Sequence, residues 1–367
     1  MKMRVTTQLK DIVSFSKGEQ IKGSDLLEEG LYDYLNGGIT PSGKWNRYNT
    51  PENTVTVSEG GNSCGYVNYM DRPFWCGAHC YYLFNAKLDN KYLYYALKSQ
   101  QNRLMKIRSG ACMPNIKKSD LGAFKLTYET NELEQKEIVK RLDKVKLVID
   151  LRKAELQQLD ELVKSRFVEM FGDVSTGVYN YETRKLGDVA FVGSSHRVFT
   201  TEFVDKGIPF YRGTEICELA NGIKPSDPYY ISENHYNRLA SDESKPKIGD
   251  LLMPSICNKG QVWMVDTDEP FYYKDGRVLC ISADRSIYNT KYLQYFMREK
   301  TQVEYPKLGS GSTFAEFKIF LLKDIDVLTP PMEVQNQFAT FVEQVDKSKF
   351  CVTNHLKKIQ LIKGELL

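Results

Sequence analysis

The chain is written twice. KYLYYALKSQQNRLMKIRSGACMPNIKK, from Lys91, returns in outline as KYLQYFMREKTQVEYPKLGSGSTFAEFK, from Lys291, and a long helical pattern follows each copy. Lys91, Tyr92, Leu93 and Tyr95 match Lys291, Tyr292, Leu293 and Tyr295; Ser109 and Gly110 match Ser310 and Gly311; Gln135 matches Gln335. Upstream, QLKDI from Gln8 is echoed by KLGDV from Lys185. A period near half of 367 residues is several-fold longer than a solenoid repeat. It predicts two related globular units, each with a helix behind it, in a molecule of approximate internal twofold symmetry. Length fits two to three domains, and 41% hydrophobic content suffices for two ordinary cores.

Between Asn131 and Phe171 there is neither proline nor glycine. Ile138, Leu142, Val145, Ile149, Leu156, Leu159, Val163 and Met170 recur there at alternating steps of four and three, which is a heptad seam. Arg152 and Arg166 occupy two further seam positions, a pattern that weakens a plain dimer but can fix register against one particular partner. At ~1.5 Å per residue the helix would span roughly 60 Å. Asn131 with Glu134 supplies a capping-box start, and Gly172 with Asp173 an end. A second helix is expected after Thr329, Pro330 and Pro331, with a seam of Phe338, Val342, Val345, Val352, Leu356, Ile359 and Leu366 interrupted by Lys349 and Lys363. Two seams too narrow for a globular core most simply bury one another, as an antiparallel pair holding the globular units apart. The weaker alternative packs each helix on its own domain, for which a wider apolar face is expected.

The division is therefore residues 1–130 and 176–329 for the globular units, with 131–175 and 330–367 for the helices. Strands are expected at TVTVS from Thr54, YYLFNA from Tyr81, DLLMPSI from Asp250, QVWMV from Gln261 and VLCIS from Val278, and short helices at KYLYYALKSQQNRL and KYLQYFMREK. The fold class is α+β: two similar mixed α/β units separated by a pair of long antiparallel coiled-coil helices.

Lys and Arg total 50 against 47 acids, so a net charge of +3 does not by itself indicate nucleic acid. Local charge does more. From Lys91 to Lys118 the chain carries Lys91, Lys98, Arg103, Lys106, Arg108, Lys117 and Lys118 with no acid between them, enough to neutralise phosphates, although a solvated helix face explains such a run equally well. The matching stretch of the second half is mixed, with Glu299, Glu304 and Glu316 among its bases. Loops mixing cations, aromatics and amides recur in both halves: GKWNRYN from Gly43, MDRPFW from Met70, GSSHRVF from Gly193, FYRGTE from Phe210, CNKGQVW from Cys257 and YYKDGR from Tyr272. Arg reads guanine bidentately, Asn and Gln read adenine, and aromatics stack. The candidate DNA contacts are Lys44, Trp45, Arg47, Tyr48, Arg72, Arg103, Lys106, Arg108, Lys117, Lys118, Arg197, Arg212, Lys259, Lys274 and Arg277.

Catalytic and metal signatures are wanting. There is no P-loop, Rossmann fingerprint, H-E-x-x-H helix or G-x-S-x-G elbow, and TPPM at Thr329 lacks both the Asn and the aromatic of a methyltransferase N-P-P-[YF] loop. The four histidines, at 79, 196, 235 and 355, have no carboxylate partner evident in sequence. Eight scattered cysteines suit thiols in a reducing compartment. Cys76, His79 and Cys80, with Cys64 upstream, invite a zinc reading, but paired C-x-x-C knuckles are missing and a buried strand with small packing cysteines is the better account. No cofactor or metal is expected. Neither a signal peptide nor 18 consecutive apolar residues is present, so a cytoplasmic protein without membrane contact is expected.

QLKDI at Gln8 and KLGDV at Lys185, PNIKKSDLGAFKL from Pro114, FKIFLLKDIDVLTPPMEVQNQF from Phe317 and LDELVKSRFVEMFGD from Leu159, in this duplicated order over almost the whole chain, resemble the DNA specificity subunit of type I restriction-modification enzymes. The first helix departs from the pattern by opening TNELEQKE without the proline pair of the second, while Glu134 and Gln135 keep their places. The resemblance implies a noncatalytic subunit. Each globular unit would be a target recognition domain reading one half of a bipartite duplex site, and the helices would set the gap. It implies too that two modification subunits dock along the helices to methylate adenine, and that restriction subunits join to cleave with ATP. The other class compatible with the residues is a coiled-coil scaffold whose two heads bind proteins.

Overall fold

A computed structural model of the chain describes residues 4–110, 114–242, 244–308 and 315–366. The chain forms two compact units, one of Met1–Ala154 with Val352–Leu367 and the other of Glu155–Cys351. The repeat positions Ser310 and Gly311 lie outside the described residues.

In unit 1 an antiparallel sheet runs in the order β2 (Ser14–Lys17), β8 (Cys80–Phe84), β5 (Thr54–Ser58), β6 (Val67–Met70). TVTVS is buried along its whole length, as an alternation of Val and Thr in a central strand requires. A second sheet sets β3 (Tyr32–Leu35) antiparallel to β4 (Gly43–Trp45) and parallel to β7 (Phe74–Cys76), and β1 (Arg4–Gln8) pairs with β9 (Lys125–Glu129). Helix α1 (Asn90–Ser99) starts where Asp89 accepts the Tyr92 N–H, and buries Tyr92, Leu93 and Leu97 against Val55, Val57 and Leu83. Two short helices follow, α2 (Gln101–Lys106) and α3 (Lys118–Ala123).

Unit 2 repeats this topology. After α4 (Glu132–Phe171) come the short pair β10 (Gly172–Asp173) and β11 (Val178–Tyr179), then β12 (Thr183–Lys185), which pairs with β21 (Asp326–Leu328) as β1 pairs with β9. The main sheet runs β13 (Ala190–Ser194), β20 (Val278–Ala283), β17 (Leu251–Pro254), β18 (Trp263–Met264). The second runs β14 (Phe203–Val204), β16 (Tyr229–Ile231), β15 (Ile208–Tyr211), β19 (Tyr272–Tyr273), its last pair parallel like β3 and β7. Short helices α5 (Leu186–Val189) and α9 (Ile319–Lys323) flank the sheets. Helices α6 (Gly213–Ala220) and α7 (Glu233–Leu239), which follow β15 and β16, have no counterpart at the matching places of unit 1. Helix α8 (Thr290–Glu304), capped by Asn289, is the second copy of α1, and α10 (Met332–Leu366) is the second long helix. Every expected strand forms, although QVWMV is trimmed to two residues.

Within unit 2 the end of α4 and the start of α10 run antiparallel. Phe167 and Phe171 each sit 5.4 Å from Phe338, while Asp160 bonds Lys349 at 2.5 Å, so ascending positions on one helix meet descending ones on the other. Val163, Val342 and Val345 are buried there, Leu159 and Met170 partly so. Lys349, at a seam position, is taken up by Asp160. Three features of the sequence reading need correction. The alternative of a helix packed on its own domain holds at the helix ends alongside the pairing: Phe167, Phe171 and Phe338 sit among Tyr292, Tyr295 and Phe296 of α8, and Ile138 with Val139 packs on the core of unit 1. Arg166 is half-exposed and paired to Glu169 at 2.8 Å, its neighbour Phe167 being buried in its place. The capping box is only half formed, because Asn131 accepts from Leu133 and Glu134 but its own N–H goes to Glu129. Leu142, Ile149, Val352 and Leu356 are buried, Val145, Leu156 and Ile359 half-buried, and Lys363 and Leu366 lie outside the described side chains. Gly172 ends α4 with φ +96°, where a Cβ would meet Val178 O at 2.2 Å.

Candidate nucleic-acid interface

In unit 2 the fold gathers Arg212, Lys274 and Arg277. β15 and β19 run parallel side by side, so the residues leaving their ends, Arg212 and Lys274, emerge together, and the Lys274 N–H donates to Tyr211 O at 2.9 Å. The three cations line a cleft of about 560 Å³ over Gly213, Pro254 and the exposed Ile256. Arg212 and Lys274 also line a neighbouring cleft of about 420 Å³ with Phe203 and Tyr229.

Arg212, Arg277 and Arg197 are each held by a carboxylate. Arg212 grips Glu215 through Nε at 3.1 Å and Nη2 at 2.5 Å, and its guanidinium lies 4.5 Å from the Tyr229 ring centroid. Burial pushes the Glu215 carboxyl up, but hydrogen bonds from the Arg212 side chain and N–H outweigh it and hold the group below the usual range. Arg277 meets Glu316 at 2.5 Å, and Arg197 meets Asp275 at 3.0 Å. Lys274 has no acidic partner among the described residues. Lys259 is exposed on the turn before β18, where the side chain of Gln261 accepts the Lys259 N–H rather than facing a ligand, and it lines neither cleft.

In unit 1, Lys44 and Trp45 lie on β4, with Lys44 3.8 Å from Asp33. Tyr48 is exposed and packs on Tyr32 at 5.0 Å. Backbone bonds between Thr50 and Phe74 bring the Arg47–Tyr48 turn beside the turn that carries Arg72, both arginines being exposed. Two residues of these loops serve the fold instead: Asn49 brackets the Cys76 peptide, and Trp75 donates to Glu19 O at 2.8 Å.

The basic run is less free than its sequence suggests. Lys91 pairs with Asp143 of α4 at 2.7 Å, as Lys291 pairs with Asp346 of α10 at 2.9 Å. Lys98 donates to Val67 O and lies 3.4 Å from the Tyr66 ring centroid. Arg103 covers Phe124 at 5.4 Å, and Lys118 lies 5.8 Å from Phe15. Lys106, Arg108 and Lys117 are exposed, and the Ser109–Asn115 bridge draws Arg108 and Lys117 to one place. Among the described residues no bond joins this group to Lys44, Arg47 or Arg72.

The absence of histidine partners is overturned. Folding brings His79 to Glu59 at 3.3 Å, His196 to Asp242 at 2.7 Å and His235 to Glu202 at 3.7 Å. Hydrogen bonds from Ser244, then His196, lower Asp242 to about 2. Cys64, Cys76 and Cys80 are buried, with Cys76 ending β7 and Cys80 starting β8, while His79 turns outward. The carboxylates that orient the arginines were not singled out from sequence, although Glu215, three residues past Arg212, gave a local signal; Glu316, 39 residues from Arg277, gave none.

A family model described as the type I restriction modification DNA specificity domain matches residues 2–161 and 179–363. A Mycoplasma genitalium protein named as a type I specificity subunit is 38% identical over 157 residues, 42% of this chain and 40% of its own length. The chain thus spans about two fifths of that curated relative. A type I restriction enzyme specificity subunit of Methanocaldococcus jannaschii is 24% identical over 285 residues, covering 71% of this chain and 64% of its own. The crystal structure of a type I restriction-modification S subunit from M. genitalium superposes with a TM-score of 0.63 at 21% identity, over 100% of this chain and 95% of that one, a likeness of fold.

Proposed function

The chain belongs to the type I restriction-modification DNA specificity family, and from that membership we propose that it is the noncatalytic DNA-recognition subunit of such a system. Residues 1–130 and 176–329 each read one half of a bipartite duplex site, and the helical segments 131–175 and 330–367 set the spacing. Two methyltransferase subunits dock on those helices and restriction subunits join through the complex; adenine methylation and ATP-driven cleavage belong to these partners, which act on cytoplasmic DNA. Among the described residues no helix is long and apolar enough to cross a membrane.

The observation that carries the reading is the shared strand order of the main sheets of the two units, each with a parallel strand pair in its second sheet. Each presents cations and aromatics where its parallel strand pair ends or begins: Arg47, Tyr48 and Arg72 beside β7, and Arg212, Lys274 and Tyr229 around β15 and β19. Two like readers on one chain call for a site in two parts, and their separation must be fixed because deforming DNA to fit costs several kcal/mol. Docking on the helices is supported by apolar side chains left exposed away from the seam, Leu147, Leu151 and Leu162 on α4 and Phe350 and Leu361 on α10.

The test is co-expression with the methyltransferase subunits, titration of duplex binding against salt, and mapping of methylated adenines. A bipartite motif and binding that weakens steeply with salt are expected. Failure to bind any duplex at low salt would instead make the chain a scaffold with two protein-binding heads.

A further inference from the structure

Arg212 is presented differently from the other cations of unit 2. Glu215, at 5% exposure, takes the side edge of the guanidinium, Nε and one N–H of Nη2. Its second oxygen also accepts the Arg212 backbone N–H at 2.8 Å, so carboxylate and main chain form one rigid unit. The Tyr229 ring fixes the plane of the group, and Tyr229 is itself stacked on Phe203 at 4.7 Å with an interplanar angle of 11°. What remains is the end edge, where one N–H of Nη1 and one of Nη2 lie parallel. No protein acceptor among the described residues meets it.

Arg212 lines both of the clefts described above. Because Arg212 and Glu215 cancel in net charge, the pair is a poor neutraliser of phosphate; the unpaired Lys274 beside it serves that purpose better. What the pair offers is direction: two parallel donors on a guanidinium held by a carboxylate on one edge and a ring on one face. Guanine O6 and N7 are the matching pair of acceptors in the major groove, whereas adenine sets an N6 donor against one of the two N–H groups.

We propose that Arg212 reads a guanine in the half-site taken by unit 2, with Glu215 and Tyr229 as its positioning residues; the inference rests on the DNA-reading assignment above. Among the described residues unit 1 has no counterpart at the matching place. The residue after β3 there is Asn36, whose side chain donates to Gln20 and accepts the His79 N–H, so it is spent on the fold. The effect is confined to one half-site.

The full chain in complex with methyltransferase subunits is the material for the test. Once the motif is mapped, each guanine of synthetic duplexes is replaced in turn by 7-deazaguanine, which lacks N7. One such replacement should weaken wild-type binding about tenfold and leave an R212A complex unaffected. Methylation mapping should show that guanine becoming degenerate in both R212A and R212K, with the other half-site unchanged, because a lysine keeps the charge but not the fork. E215Q should relax the same position and also lower the melting temperature, because it takes the charge from a buried, triply bonded carboxylate. Retention of the guanine by R212K, loss of stability without loss of preference in E215Q, or a wild-type half-site with no guanine sensitive at N7 would overturn the inference while leaving the DNA-reading assignment intact. A wild-type complex with no sequence preference would instead bring down that assignment.

Discussion

A buried glutamine at the start of each long helix bonds backbone groups of two different elements. Gln335 accepts the Asn289 N–H at 2.9 Å and donates to Ile287 O and Pro330 O, both at 2.8 Å. Gln135 repeats the arrangement, accepting from Asp89 at 3.3 Å and donating to Glu129 O at 2.8 Å. Each side chain thus ties the cap of the short helix to the turn that opens the long one. Replacing Gln335 by alanine strands buried polar groups, for a cost of about 2–4 kcal/mol, and Q135A, whose bond from the short-helix cap is longer at 3.3 Å, costs less; denaturant melts of the two variants give the comparison. The match of the two glutamines was legible in the sequence, but their partners 46 and 48 residues upstream were not, since no local pattern encodes them. The cysteines were legible from composition. Burial pushes the Cys257 thiol up to about 11 and the Cys280 thiol up to about 12, so both stay protonated at pH 8, while Cys351 is exposed. Brief iodoacetamide treatment of the isolated chain at that pH should label Cys351 and spare the other two until denaturant is added, as read by peptide mass spectrometry.

At the scale of an element, each long helix buries one apolar seam and leaves further apolar side chains exposed. The seam was visible because its period is local, and Val163, Val342 and Val345 lie where the period puts them. Phe167 and Phe171, one residue past the seam positions of Arg166 and Met170, are buried because α8 supplies a wall of rings that only the tertiary fold brings up, Tyr295 standing 5.1 Å from both Phe167 and Phe338. Sheet order was illegible for the same reason: β2 pairs with β8 across most of unit 1, and nothing in either strand names the other. F338A removes a fully buried ring from this cluster and should destabilise unit 2 by about 3–5 kcal/mol. Leu151 is 58% exposed, so L151E should leave stability within about 0.5 kcal/mol. The same variant should weaken pull-down of methyltransferase subunits, which separates the docking face from the packing face; undiminished capture would remove Leu151 from that surface.

For the whole molecule, α4 belongs to both units, Glu132 to Ala154 with the first and Glu155 to Phe171 with the second, and in the proposed reading its length would set the spacing between the two half-sites. Removing seven residues from α4 and seven from α10 keeps each seam in phase, since a heptad turns an α-helix by only ~20° from its starting face. It shortens the helices by about 10 Å, the rise of about three base pairs. Three base pairs also turn the duplex by ~100°, so a site shortened to fit must be overtwisted or undertwisted, at a cost of a few kcal/mol. Methylation mapping of the double deletion should therefore return both half-sites unaltered, a gap shorter by about three base pairs, and slower modification than the parent complex. An unchanged gap would show that the long helices do not measure the distance, and altered half-sites would show that the units read DNA only in the context of the intact helices.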